Sequence, residues 1–310
     1  MRFVFSTEVV DLNIQAPNRN KRECKYFWDE LYPLISVGGF DYLEVPYEPK
    51  WDFGGRSGIP RSLRSITMKY ETVENYVKYL QENGIKGIAN FHLDPSLFCG
   101  DIPEMYFGAF GHFAEEALEV AAQAGAETLT ITASAPIFGM KHLSHGNTEL
   151  LIQKTSELID SIAEKANQRG VKLCLKNEYW GLLRGEKIVE FVNNLNNKVY
   201  LDVDTAHLTI ADVDVASFIE KNKDMIGTVH FTDTSFVDDQ EAYLQPLPEF
   251  PAKAATKVIC DSGQGKVDFE KILSTLKAVG YDGDIIFNCK DSYDIYRSIL
   301  RAARVAKNIA

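Results

Sequence analysis

The sharpest grouping of reactive side chains is Asp204-Thr205-Ala206-His207, a carboxylate and an imidazole three residues apart at the end of an apolar run. Where a strand gives way to a turn, both can reach a ligand placed above the strand end. The next apolar run, Gly227 to Phe231, delivers His230, with Asp233 three residues on. The preceding run, from Val171 to Leu175, ends in Lys176-Asn177-Glu178. Lys176 and Glu178 are two apart, so an extended chain sets them on one face. Carboxylate oxygens and imidazole nitrogens in a common pocket suit a divalent ion such as Mn, Mg, Co or Zn. The competing reading is structural: Asp204 caps a turn and the histidines bond backbone groups.

These groups act together only if the elements beneath them converge. Apolar alternation predicts strands at Phe3–Ser6, Asp41–Pro46, Ile85–Phe91, Thr128–Thr132, 171–176, Val199–Val203, Gly227–Phe231 and Asp284–Phe287. Helical spacing predicts Tyr26–Ile35, a helix capped by Thr72 and running to Glu82, Phe107–Ala124, and Thr148–Asn167 with Gly170 as its stop. It continues with Gly185–Leu195, Val213–Lys221, Phe269–Ala278 capped by Asp268, and Ser292–Ile309. Strands separated by helices run parallel, because a parallel crossover needs a helix-length connection. Eight such units predict an α/β fold, a closed (β/α)8 TIM barrel whose reactive groups sit on the loops after the strands. An open doubly wound sheet is the runner-up, but no Gly-x-Gly-x-x-Gly follows any strand. With no low-complexity linker, residues 1–310 read as a single domain.

Two long loops, Pro46 to Met68 and Thr232 to Lys266, read as lids or as contacts of a homo-oligomer. The 310 residues are 45% hydrophobic, enough for a large core, and the formal charge is −11. With a pI near 5.1, that charge argues against nucleic acid and anionic membranes as partners. No run approaches the roughly 20 apolar residues of a membrane span, and no signal peptide is evident, so the expected compartment is the cytoplasm. Five cysteines are widely spaced with no Cys-x-x-Cys, which reads as reduced thiols.

The eight units, the Asp204–His207 tip and the Val229–Asp233 tip resemble the sugar phosphate isomerase/epimerase superfamily, the xylose-isomerase-like TIM barrels. So do Gly263-Gln264-Gly265-Lys266-Val267-Asp268 and the turn Gly280-Tyr281-Asp282-Gly283. That group includes inosose dehydratases, ketose 3-epimerases and an apurinic endonuclease branch. The resemblance implies one ion held by Glu, Asp, His and Glu at the tops of strands five to eight, with the glutamates moving a proton next to a carbonyl. Asp204 and His230 match the Asp and the His. The first glutamate falls where this chain has Lys176, with Glu178 two residues later, and the second where it has Asn288.

Three readings follow. Glu178, Asp204, His230 and Asn288 form an atypical metal set; or Lys176 itself supplies the positive charge, without metal; or the site has decayed to a sugar-binding barrel that serves as a partner subunit. The leading expectation is a sugar or cyclitol isomerase, epimerase or dehydratase that moves a proton beside a carbonyl, metal-assisted and acting on a small molecule. In it Glu178 is base or ligand, Lys176 the charged group, and His207 orients substrate. Asn288, Lys290, Glu44, His92 and Trp180 contact substrate, with Glu8 and Trp51 as further candidates. For Glu44 a buried ion pair with Arg2 competes. Arg56, Arg61, Arg64 and Arg184 are candidates for a phosphate.

Overall fold

In a computed structural model of the chain, eight strands alternate with helices and close into a parallel barrel. The structure describes residues 1–9, 25–49, 59–98, 102–135, 147–239, 241, 258–290, 292 and 294–310. The order is β1 (Arg2–Ser6), α1 (Lys25–Val37), β2 (Tyr42–Pro46), α2 (Leu63–Tyr70), α3 (Val73–Glu82), β3 (Gly87–Leu93), α4 (Pro103–Gln123), β4 (Thr128–Thr132) and α5 (Thr148–Arg169). There follow β5 (Lys172–Lys176), α6 (Lys187–Asn193), β6 (Tyr200–Asp204), α7 (Thr205–Ile210), α8 (Val215–Asn222), β7 (Ile226–Phe231), α9 (Phe269–Ala278), β8 (Asp284–Phe287) and α10 (Ile295–Ile309). The seam closes where Arg2 to Phe5 of β1 pair with Asp284 to Phe287 of β8. Among the described residues, no helix is long and apolar enough to cross a membrane.

Alternation along each strand separates two environments. Phe5, Leu43, Phe91, Leu129, Leu175, Val203, Phe231 and Phe287 belong to the large core shared with the helices. Each large apolar side chain buried there stabilises the fold by roughly 1.5–3 kcal/mol. The alternate positions are mostly polar: Glu44, Asn90, Thr130, Asp202 and His230 are all buried and hydrogen-bonded to one another or to neighbouring strands. The apolar seam holds the barrel together, and the polar lumen feeds the site at its mouth.

Local signals account for the helix ends. Thr72 and Asp268 accept backbone N–H bonds from Asn75 and Lys271, so both expected caps are present. Gly170 closes α5 with φ +70°, a conformation that a side chain disfavours. Two helices were not foreseen. Helix α2 begins inside the stretch expected as a continuous loop, runs two residues past its end and is fixed by a Ser62–Ser65 capping box. Helix α7 has only six residues, too short to show periodicity, and starts from Asp204 itself.

Candidate active site

The last residue of β5 organises the mouth of the barrel. Lys176 is 5% exposed, and its Nζ lies 3.1 Å from Oδ2 of the fully buried Asp204. Asp204 also accepts the N–H groups of Ala206 (3.1 Å) and His207 (3.2 Å) at Oδ1, and the Thr232 hydroxyl (3.0 Å) at Oδ2. Asn177 clamps its backbone, accepting the Asp204 N–H at 2.8 Å and donating to the Asp204 carbonyl at 3.3 Å. Asp204 therefore serves as helix cap and as charge partner of Lys176 at once.

His230 ends up between two carboxylates. Its Nδ1 is 2.8 Å from Asp202 Oδ1 and its Nε2 is 2.9 Å from Glu44 Oε2, with all three side chains buried. Carboxylates at both ring nitrogens favour the doubly protonated ring. β7 and β2 are not neighbours, so the His230–Glu44 contact spans the lumen. Glu44 also accepts from Asn90 Nδ2 at 2.6 Å, and Asn90 Oδ1 accepts from Thr128 Oγ1 at 2.8 Å. The Arg2–Glu44 pair weighed from the sequence does not form. Arg2 bonds Asp284 at 2.7 and 2.9 Å where both strands begin, at the opposite end of the barrel.

The remaining expected residues line the same mouth. Glu8, in the turn after β1, accepts from Asn288 Nδ2 at 2.5 Å and lies 3.9 Å from His92 Nδ1. The other ring nitrogen of His92 bonds Thr132 Oγ1 at 2.9 Å. Glu178, 8% exposed, meets Lys290 Nζ at 3.3 Å. His207 Nδ1 accepts the Tyr179 N–H at 3.2 Å, which leaves the Nε2 position to carry the ring proton. Trp180 is half-buried and packs edge-on against Tyr179, with ring centroids 4.8 Å apart.

Charge balance follows from these contacts. Burial would lower the Lys176 ammonium, but Asp204 and Glu8, with Asp202 and Glu44, hold it well above the usual lysine range. Burial likewise opposes charge on His230, yet Asp202 and Glu44 raise it to about 10. Among the carboxylates beside these cations, Glu8, Glu44, Glu178 and Asp204, burial pushes upward and loses. His230 brings Glu44 down to about 2. His92, Lys290 and Lys176 hold Glu8 well below the normal range, and Lys176, His207 and His230 do the same for Asp204. Glu178 is lowered too, against burial, chiefly by Lys290. Two groups move toward neutrality. Burial drops His207 below 6.5 despite Asp204, and burial together with Glu178 raises Asp94.

Of the metal set expected from the sequence, Glu178, Asp204, His230 and Asn288, the first three are engaged elsewhere, and the set does not fit an ion as it stands. Glu178 meets Lys290, Asp204 meets Lys176 and both His230 nitrogens meet carboxylates, whereas the Asn288 amide donates to Glu8 and leaves its Oδ1 without a partner among the described residues. An ammonium this close to Asp204 repels a dication at ligand distance. Among the described residues, the group that could hold a metal ion is Glu8, Glu44 and His92, whose ligand atoms lie within 4.8 Å of one another.

Other expectations resolve differently. Arg61 is buried, with its guanidinium on Glu48 (2.8 Å) and on the Thr7 carbonyl, so it braces the loops after β1 and β2. Asp233 faces away from ion chemistry: it accepts the N–H groups of Thr234, Gly263, Gly265 and Val267. A Cβ at Gly265 would fall 2.1 Å from Asp233 Oδ1, which is why that turn needs glycine. Cys174, Cys260 and Cys289 are free thiols. Trp51 and Arg56 lie outside the described residues. Asp202, Asn90 and Thr132 escaped the sequence reading. Alternation with Asp204 in β6 was the available signal for Asp202.

A family model for the xylose isomerase-like TIM barrel matches residues 35–308, and the chain belongs to that family. The inosose dehydratase of Salmonella typhimurium (strain LT2) is 25% identical over 159 residues, covering 51% of this chain and 52% of that protein. The chain spans about half the length of the inosose dehydratases that it matches in this way. The ketose 3-epimerase of Arthrobacter globiformis is 21% identical over 276 residues, 87% of this chain and 80% of that protein. Among solved structures, the probable 3-DHS dehydratase AsbF of Bacillus anthracis superposes over 100% of both chains, with TM-score 0.70 and 13% identity. The IolI protein with a bound zinc atom gives TM-score 0.62 at 16% identity, over 100% of this chain and 96% of that one. At these identities the structural likeness concerns the fold.

Proposed function

We propose that this chain binds a sugar or cyclitol and moves a proton on the carbon next to its carbonyl, as an isomerase, epimerase or dehydratase does. The observation that carries this reading is the Lys176–Asp204 pair at 3.1 Å, a fixed cation where the family resemblance leads one to expect an ion. An ammonium held charged in a water-poor pocket polarises a carbonyl oxygen and stabilises the enediolate that follows deprotonation. Because it is held protonated, Lys176 acts as a hydrogen-bond donor rather than a nucleophile.

Glu178, ionised beside Lys290, is the base that takes the carbon-bound proton. His207 is neutral with its Nε2 as donor, suited to orient a substrate hydroxyl. Asp94, which burial and Glu178 push toward the protonated form, is the candidate acid for returning a proton. The inosose dehydratase and ketose 3-epimerase relatives support the substrate class, since an inosose and a ketose are both polyhydroxylated carbonyl compounds. His230, committed to Glu44 and Asp202, is a positioning residue here.

The experiment is a panel of ketoses, aldoses and inososes incubated with the protein in deuterium oxide. Label washed into one carbon beside the carbonyl, and lost with Glu178→Gln, supports the reading. No label with any member of the panel counts against proton transfer and in favour of a barrel that binds sugars without turning them over.

A further inference from the structure

We propose that a first-row divalent ion such as Mn2+ or Zn2+ binds on Glu8, Glu44 and His92, carried by the loop after β1 and by strands β2 and β3. Three observations support this. First, the three residues offer ligand atoms within 4.8 Å of one another. Ligands at ~2.0–2.2 Å from an ion span up to about 4.4 Å, so closure needs shifts of only a few tenths of an ångström. Second, buried Glu44 Oε1 has no hydrogen-bond partner among the described residues. An orphaned carboxylate oxygen in a buried site is costly, and a cation relieves that cost.

Third, each ligand is already held by a neighbour that leaves a coordinating atom spare. Thr132 takes His92 Nε2 at 2.9 Å, which leaves Nδ1 toward Glu8. Asn90 and His230 take Glu44 Oε2, and Asn288 takes Glu8 Oε2, in the way that outer partners orient metal ligands. Two carboxylates and one imidazole suit Mn2+ or Zn2+ and leave coordination positions open for hydroxyl oxygens of a polyol.

The test is titration of the chelator-stripped full chain with Mn2+, followed by electron paramagnetic resonance, and with Zn2+ by calorimetry. One equivalent should bind. Glu8→Gln and His92→Asn should each weaken binding by at least the ~10–100-fold that loss of an outer partner costs. Lys176→Met should still bind one equivalent. Glu8 is partly exposed, so Glu8→Gln is the variant expected to fold normally, and the thermal shift given by Mn2+ should vanish with it. Absence of stoichiometric binding to the wild type overturns the site. So does binding that survives Glu8→Gln but is lost with Asp204→Asn, which would put the ion on strands five to eight. The readout is metal binding rather than turnover, so its failure and a failure of the proton-transfer reading appear separately.

Discussion

The two arcs of the barrel mouth are built from similar residue types but differ in how a cation meets their carboxylates. On β5 to β7, every strong carboxylate contact is met by a protein cation: Asp204 by Lys176, and Asp202 by His230. On the β1 to β3 arc, Glu8 and His92 stand 3.9 Å apart, and Glu44 shares His230 with Asp202, each of the two carboxylates keeping one oxygen without a partner among the described residues. What separates the arcs is the lysine on Asp204: the β1 to β3 arc brings Glu8, Glu44 and His92 together with capacity for a cation or for substrate hydroxyls. Lysine at position 176 contributes to that asymmetry, because a buried ammonium fills the electrostatic role of an ion.

The largest effect should come from removing that ammonium. Lys176→Met leaves Asp204 buried without its cation, so a loss of ~3–5 kcal/mol in denaturant unfolding is expected. Turnover, measured by deuterium wash-in, should fall by ~10²–10³-fold, as when a preorganised donor to a developing charge is deleted. Unchanged wash-in would erase the proposed difference between the arcs. Glu44→Gln comes next. It removes one of the two carboxylates that keep His230 charged, and unfolding should show a loss of up to ~3–5 kcal/mol, less if the new amide accepts from the ring.

The pH dependence of stability sharpens the same contrast. In chelator-treated protein, His230 is raised to about 10, so its contribution is complete below pH 6.5 and is lost as pH rises through about 10. Glu44 is lowered to about 2, so its contribution is complete above pH 4.5 and is lost as pH falls through about 2. A thermal-melt profile should therefore decline on both sides of a plateau between those limits. Glu44→Gln should blunt both declines. The smallest effect is expected for Lys290→Ala, because Lys290 is 38% exposed and solvent screens its contact with Glu178. Stability should change by no more than ~1 kcal/mol. Without that cation Glu178 titrates higher, so the acid limb of the wash-in profile should move to higher pH.

Most of the scaffold was legible because the apolar periods are strong. Thr128–Thr132 and Phe269–Ala278 fall where alternation and the Asp268 cap put them. Short elements anchored by side-chain caps were not legible: α2 depends on Ser62 and Ser65 bonding each other, and α7 on a carboxylate read as a ligand. Within the site, Lys176, Glu178, Asp204 and His230 were visible because strand ends expose them in order. The Glu44–His230 contact was not, since 186 residues separate its partners and only closure of the barrel joins them. Arg2, next to Glu44 neither in sequence nor in space, was a false lead of the same origin.

Anomalous diffraction from crystals grown with Mn2+ tests the contrast between the arcs most directly. The account predicts a single peak among Glu8, Glu44 and His92, with Lys176 Nζ still beside Asp204. A peak bonded to Asp204 and His230, with the lysine swung out of the pocket, would contradict it.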